Sequence, residues 1–187
     1  MEFKQYPNYK DSRIAWLGEV PKEWDVYPIG KGLQPIKDNT IGSAWDKTQL
    51  LSLTLQGIIK KDINDGKGKA HSDYSTYQKI NSGDFIFCLF DIEETPRTVG
   101  ISSFDGMITS AYTAFKPSKL VNAQYLYYLF ESRDDLKAFG SEYSGLRKTI
   151  RPTKFIKLNI TYPSLLEQNQ IVAFLDAETT RIDNLIA

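Results

Sequence analysis

"SGDFIFCLF" (Ser82–Phe90) sets a short, continuous apolar run behind a Ser-Gly-Asp turn. That is the pattern of a buried strand. Working outward, "TQLLSLT" (48–54) and "GIIKK" (57–61) are β-like runs joined at Gln56-Gly57. "VGISSFDGMITSAYTAFKP" (99–117) reads as strand, Asp105-Gly106 turn, strand, which predicts a hairpin. On its second strand Ile108, Ser110, Tyr112 and Ala114 share one face. A first strand is predicted near Trp24–Ile29, after an irregular lead-in where Pro21 and Pro28 forbid a long helix. "NAQYLYYLFESRDDLKAF" (122–139) predicts a helix capped by Asn122 and stopped at Gly140, with Tyr125, Leu129, Leu136 and Phe139 near one stripe. A short helix near Pro152, a strand at Leu158–Tyr162 and a helix from Ser164 onward follow. Strands precede helices without βαβ alternation, so the expected class is α+β, a twisted, mostly antiparallel sheet plus helices.

Bulk properties narrow the field. Of 187 residues, 41% are apolar and 25% charged, as in a globular chain. No apolar run approaches the roughly 20 residues of a membrane span, and the first residues lack the apolar core of a signal peptide. With one cysteine, Cys88, no internal disulfide framework forms. The expectation is a cytoplasmic protein. Net charge is zero, so nucleic-acid binding has to be argued from local clusters rather than from the sum.

Catalytic constellations are scarce. With one histidine, His71, and one cysteine, no Cys/His zinc site can be assembled, and no G-x-S-x-G elbow accompanies that histidine. "GKGK" (66–69) lacks the spacing of a phosphate loop. Asp91, Glu93 and Glu94 offer carboxylates for a metal-dependent nuclease, but an acidic loop is more often solvated. The residues describe a binding module rather than an enzyme, and no metal or cofactor is expected.

Two features are enriched. No acidic residue lies between Glu142 and Glu167, while that stretch carries Arg147, Lys148, Arg151, Lys154 and Lys157 beside Tyr143 and Gly145. A second cluster joins Lys60, Lys61, Lys67 and Lys69 to Tyr74 and Tyr77. Such loops suit a phosphodiester backbone, because Lys and Arg neutralise phosphates and Arg also reads guanine bidentately. In the final helix Gln168, Ile171, Leu175, Glu178, Ile182 and Leu185 recur at heptad spacing, with Phe174 and Ile186 widening the seam. Such a seam serves a coiled coil or an amphipathic helix lying on its own domain.

Three stretches together resemble the specificity (S) subunits of type I restriction–modification systems. They are "DSRIAWLGEVPKEWDVYPIGK" (11–31), "SDYSTYQKINSGDFIFCLF" (72–90) with "VGISSFDGMITSAYTAFKP", and "LNITYPSLLEQNQIVAFLDAETTRIDNLI" (158–186). The resemblance implies a non-catalytic DNA target recognition domain over residues 1–163, followed from 164 to 187 by the start of a conserved spacer helix. It implies double-stranded DNA as ligand and one half of a bipartite target as the sequence read. The partners it implies are modification and restriction subunits, which carry S-adenosylmethionine, ATP and Mg. Two departures stand out: one recognition domain instead of two, and only the first turns of the conserved helix. The candidate DNA contacts are Arg147, Lys148, Arg151 and Lys154, then Lys67, Lys69 and Tyr74. The candidate helix-packing residues are Ile171, Leu175, Ile182 and Leu185, through which a homodimer is expected. An alternative is an interaction scaffold that recruits a partner through the helix and reads no DNA.

Overall fold

The computed structural model describes residues 5–14, 16–63, 73–143 and 148–186. In chain order the elements are β1 (Tyr9–Asp11), β2 (Glu19–Pro21), β3 (Asp25–Pro28), β4 (Leu33–Pro35), β5 (Leu50–Thr54), β6 (Gly57–Lys61), β7 (Gln78–Ile80), β8 (Phe85–Phe87), β9 (Val99–Ile101), β10 (Gly106–Ile108), β11 (Thr113–Pro117), α1 (Ala123–Asp135), the single turn α2 (Pro152–Phe155), β12 (Asn159–Tyr162) and α3 (Leu165–Ile186). The class is α+β. The strands divide between two four-stranded sheets, β6-β5-β10-β7 and β4-β11-β8-β9, and two small ribbons, β1-β2 and β12-β3. Pairing among these strands is antiparallel except for β5 with β10.

Strand β8 shows how the layers arise. Successive side chains of a strand point to opposite faces. Ile86 therefore faces the other sheet, in a cluster with Leu51, Ile58, Ile80, Ile108 and Ala114. Phe85 and Phe87 face the helices, with Phe115, Phe130 and Phe155. All five phenylalanines are at most 1% exposed, and each buried ring is worth about 1.5–3 kcal/mol. The far face of the first sheet is closed by Tyr74 over Leu50 and Met107. A strand with both faces covered reads as one apolar run, which is why "FIFCLF" carries no alternation.

Two expectations are corrected. The stretch 99–117 is not a hairpin: β9 pairs with β8 in one sheet, and β10 pairs with β5 and β7 in the other. The expected second strand also breaks after Ile108, where Gln78 Nε2 donates to the Thr109 and Tyr112 carbonyls at 3.0 and 2.9 Å. A buried glutamine amide supplies the bonds that a partner strand would have given. Helix α1 starts as predicted, with Asn122 Oδ1 accepting from the Tyr125 amide at 3.1 Å. It ends before Gly140, because Lys137 takes a left-handed conformation with φ 47°. Leu136 is left 69% exposed, and the following turn, Ala138–Ser141, returns Phe139 to the core. Among the described residues no helix is long and apolar enough to cross a membrane.

Candidate nucleic-acid interface

The basic stretch 148–157 hangs from the core by two apolar roots. Ile150 is 1% exposed and donates its amide to the Leu89 carbonyl at 2.8 Å. Phe155 is fully buried, its ring 4.7 Å from that of Phe87 and 5.6 Å from that of Phe115. Pro152 opens α2, a position where its missing N–H costs nothing. With those roots fixed, Arg151, Lys154 and Lys157 face solvent. Arg151 makes no ion pair among the described residues.

Acidic partners reach this surface from elsewhere in the chain. Lys148 Nζ lies 2.7 Å from Glu93 and 3.3 Å from Glu94. Lys154 Nζ donates to the Glu142 carbonyl and lies 3.6 Å from its carboxylate. The hydrogen bond from Lys148 and a second from Tyr143 hold the Glu93 carboxyl below its ordinary range. Glu93 and Glu94 in turn raise the Lys148 ammonium to about 12. Both members are therefore charged at neutral pH. The acid-free stretch of sequence is thus not acid-free in space. The signal lay in two complementary blocks, "DIEE" (91–94) and "KTIR" (148–151), that only the fold brings together. Because Glu93 already holds Lys148 and Tyr143, its carboxylate is committed to the loop. Among the described residues no three His, Cys, Asp or Glu side chains gather to hold a metal.

The remaining predicted contacts fall differently. Tyr74 is 8% exposed, edge-on to Tyr77 at 4.9 Å and tilted against Trp45 at 5.6 Å. It closes a core, so its ring has no free face on which a base could stack. Arg147, Lys67 and Lys69 lie outside the described residues, as does His71. Lys60 and Lys61 line an open concavity of about 580 Å³ with Lys47, Asp46 and Asp62. Arg13, Glu142 and Lys157 line a separate groove of about 340 Å³ that also meets Phe139. No residue lines both, so the two clusters border different concavities.

Helix α3 divides midway. Gln168 is 1% exposed, its Oε1 accepting from the Asn122 amide at 2.8 Å and its Nε2 donating to the Pro163 carbonyl at 2.9 Å. Ile171 and Val172 pack on the main core, and Ile171 and Leu175 line an apolar hollow of about 290 Å³ with Trp24, Tyr125 and Leu129. Tyr128 reaches Asp176 at 2.5 Å. Beyond Glu178 the seam is bare: Ile182 is 47%, Leu185 75% and Ile186 80% exposed. The predicted packing residues therefore split, Ile171 and Leu175 lying on their own domain while Ile182 and Leu185 face solvent.

A two-sheet α+β body with a protruding terminal helix is a fold already seen in solved proteins. The HsdS subunit from Thermoanaerobacter tengcongensis superposes with a TM-score of 0.53 over 89% of this chain and 40% of its own length, at 16% identity. A structure describing complex assembly and conformational transition of the type I R-M system matches at 0.55, with 16% identity, over 89% of this chain and 40% of its own. The type I restriction–modification S subunit from M. genitalium matches at 0.52, with 14% identity, over 87% and 41%. No family model and no curated protein matches the sequence. The chain therefore shares the S-subunit fold and spans about two-fifths of the length of these proteins.

Proposed function

We propose that the chain is a non-catalytic DNA specificity module of a type I restriction–modification system. Residues 1–163 read one half of a bipartite target, and residues 164–187 begin the connector toward modification and restriction subunits. S-adenosylmethionine, ATP and Mg belong to those partners in this reading. The observation that carries it is the likeness to S subunits over 89% of the chain. Arg147 and Arg151 are the leading DNA contacts, and Lys148 and Lys154 join them once duplex phosphate competes for the ammonium groups that Glu93 and Glu142 hold.

The test is duplex binding as a function of salt. Neutralising about five phosphates makes log K fall against log salt with a slope near −4.5. A salt-independent interaction overturns the reading.

A second reading, an interaction scaffold that reads no DNA, draws on the bare apolar end of α3. The variant Ile182→Asp/Leu185→Asp separates the two. Under the first reading it loses self-association or methyltransferase-subunit binding and keeps duplex affinity. A chain that loses its partner and never bound duplex favours the scaffold.

A further inference from the structure

Arg13 stands on the loop between β1 and β2 at φ 57°, a left-handed conformation that a non-glycine residue holds only when its surroundings fix it. The fixing bonds are local. The Asp11 carboxylate accepts the Arg13 amide proton at 2.8 Å, the Ser12 hydroxyl accepts that of Ile14 at 3.1 Å, and the Ser12 amide donates to the Gly18 carbonyl at 3.0 Å. Arg13 itself is exposed and makes no ion pair among the described residues. It borders the groove of about 340 Å³ that Lys157 also borders. Lys157 follows the single turn of α2, its amide donating to the Lys154 carbonyl at 2.9 Å, and it too is exposed and unpaired among the described residues. The apolar lining of the groove includes the buried Ile29, Phe139 and Ile160. A backbone bond fixes it, the Ile29 amide donating to the Leu158 carbonyl at 2.8 Å. Trp16, another lining residue, carries the Arg133 guanidinium 4.5 Å from its ring centroid. Arg133 donates to the Trp16 carbonyl at 3.2 Å, and its Nε is buried without a partner. Among the described residues the one acid lining the groove is Glu142, and it is committed. Lys154 Nζ lies 3.6 Å from its carboxylate and donates to its carbonyl.

We propose that this groove is a subsite for a phosphate of the duplex backbone, gripped by Arg13 and Lys157, with the Glu142 carboxylate as the internal anion that the phosphate displaces from Lys154. The subsite rests on the DNA-reading function proposed above and extends its contact surface from the 148–157 stretch to the β1–β2 loop. Charge complementarity selects the occupant. The set holds two unpaired cations, a partly buried guanidinium against Trp16, and one acid already paired with Lys154. An oxyanion is the ligand that balances it. The apolar lining suits the sugar beside the phosphate. Phosphate contacts position a protein without reading sequence, so the subsite contributes alike to every duplex. Glu142 sets a threshold. Its carboxylate has to give up Lys154 before that lysine reaches phosphate, so the paired lysine adds less to binding than a free one.

The experiment uses the full chain and a short duplex of random sequence, with affinity measured against salt. The variants are Arg13→Asn, whose side chain tolerates a left-handed backbone, Lys157→Ala and Glu142→Gln. Lys119→Ala and Glu23→Gln, at exposed positions outside the groove, are the controls. Arg13→Asn and Lys157→Ala should each make the fall of log K with log salt shallower by about 0.9, the share of one phosphate. Lys119→Ala should keep the wild-type slope. Glu142→Gln should tighten binding roughly fivefold, the scale of one unit charge at contact distance in water, with little change in Glu23→Gln. Groove variants whose slopes match Lys119→Ala, or a Glu142→Gln affinity no higher than that of Glu23→Gln, overturn the proposal. A second arm titrates inorganic phosphate and follows the Trp16 indole N–H resonance. Phosphate should move it in wild type and not in the Arg13→Asn/Lys157→Ala double variant, and equal responses overturn the anion site. Wild-type protein that binds no duplex overturns the DNA reading and the duplex as occupant, while the phosphate arm still decides whether the groove holds an oxyanion.

Discussion

A Cβ on Gly106 would lie 2.5 Å from the Gln49 carbonyl oxygen and 2.9 Å from the Leu51 side chain. The obstacle is backbone, which no rotamer change relieves. Gly106→Ala is therefore expected to destabilise the domain by about 1–3 kcal/mol, measured by urea denaturation. From the sequence the same glycine reads as the turn residue of an Asp-Gly hairpin. Its φ is not among the positive values, so its role is close approach rather than turning. Which strand would crowd it depends on pairing across the sheet, and that is not visible in residues 99–117. Asp134 is another residue whose role comes from distant partners. It is 1% exposed, and it accepts from the Thr98 amide at 2.8 Å and from Lys137 Nζ at 2.9 Å, with Arg97 at 3.6 Å. Asp134→Ala leaves two cations and an amide short of their acceptor and is expected to cost about 3–5 kcal/mol in thermal or chemical unfolding. Asp134→Asn keeps an acceptor for Thr98 and should cost less.

At the scale of elements, α3 carries two different fates on one seam. Ile171→Asp puts a charge against the core and should lower stability by several kcal/mol, on the order of the penalty for an unpaired buried charge. Ile182→Asp should stay within about 0.5 kcal/mol, as solvent-facing substitutions do. Urea denaturation measures the contrast, and sedimentation of the same Ile182→Asp protein reports whether the bare half pairs with a second copy. The heptad spacing was legible in the sequence. Where along it the domain ends was not, because burial depends on α1 lying alongside only the first half. The base of α3 is clasped by Glu167, which accepts from Trp24 Nε1 at 2.8 Å and from the Tyr6 hydroxyl. Burial, and then the bond to Glu167, push Tyr6 up to about 12. A raised phenol pKa contributes stability below the ordinary value near 10, and that contribution fades as pH rises toward the folded value. Ultraviolet titration of tyrosinate should therefore show Tyr6→Phe abolishing a late-ionising phenol. A phenol population unchanged by that substitution would count against the clasp.

For the whole molecule, the α+β class, the Asn122 cap, the β5–β6 hairpin and the strand at β12 follow from local pattern. The split into two sheets does not. Residues 99–117 hold a turn signal and two apolar runs, and nothing local says that the runs belong to opposite layers. The candidate interface was legible in the same limited way. Its cations were identifiable, and its roots Ile150 and Phe155 were ordinary apolar residues in a basic stretch. Two of its acids, Glu93 and Glu94, sat on a separate loop, Glu94 54 residues upstream of Lys148. Tyr74 went astray for a related reason: an aromatic beside lysines in a polar stretch looks like a stacking platform, yet it covers the first sheet. Zero net charge proves compatible with a local cationic face, since Arg151 and Lys157 remain exposed while several acids are spent on internal pairs.

Strand β12 pairs with β3 through Asn159↔Pro28 to Tyr162↔Asp25, joining the two ends of the body. The contact spans most of the chain, so its loop-closure entropy is met only after nearly everything between has been made. During synthesis β3 emerges early and waits with an unpaired edge, which is an invitation to pair with another molecule. Expression yield should therefore be sensitive to interruption anywhere before Tyr162, and a chain stopped at Lys157 should aggregate instead of folding. The strand that completes the body is also the one that releases it from that hazard.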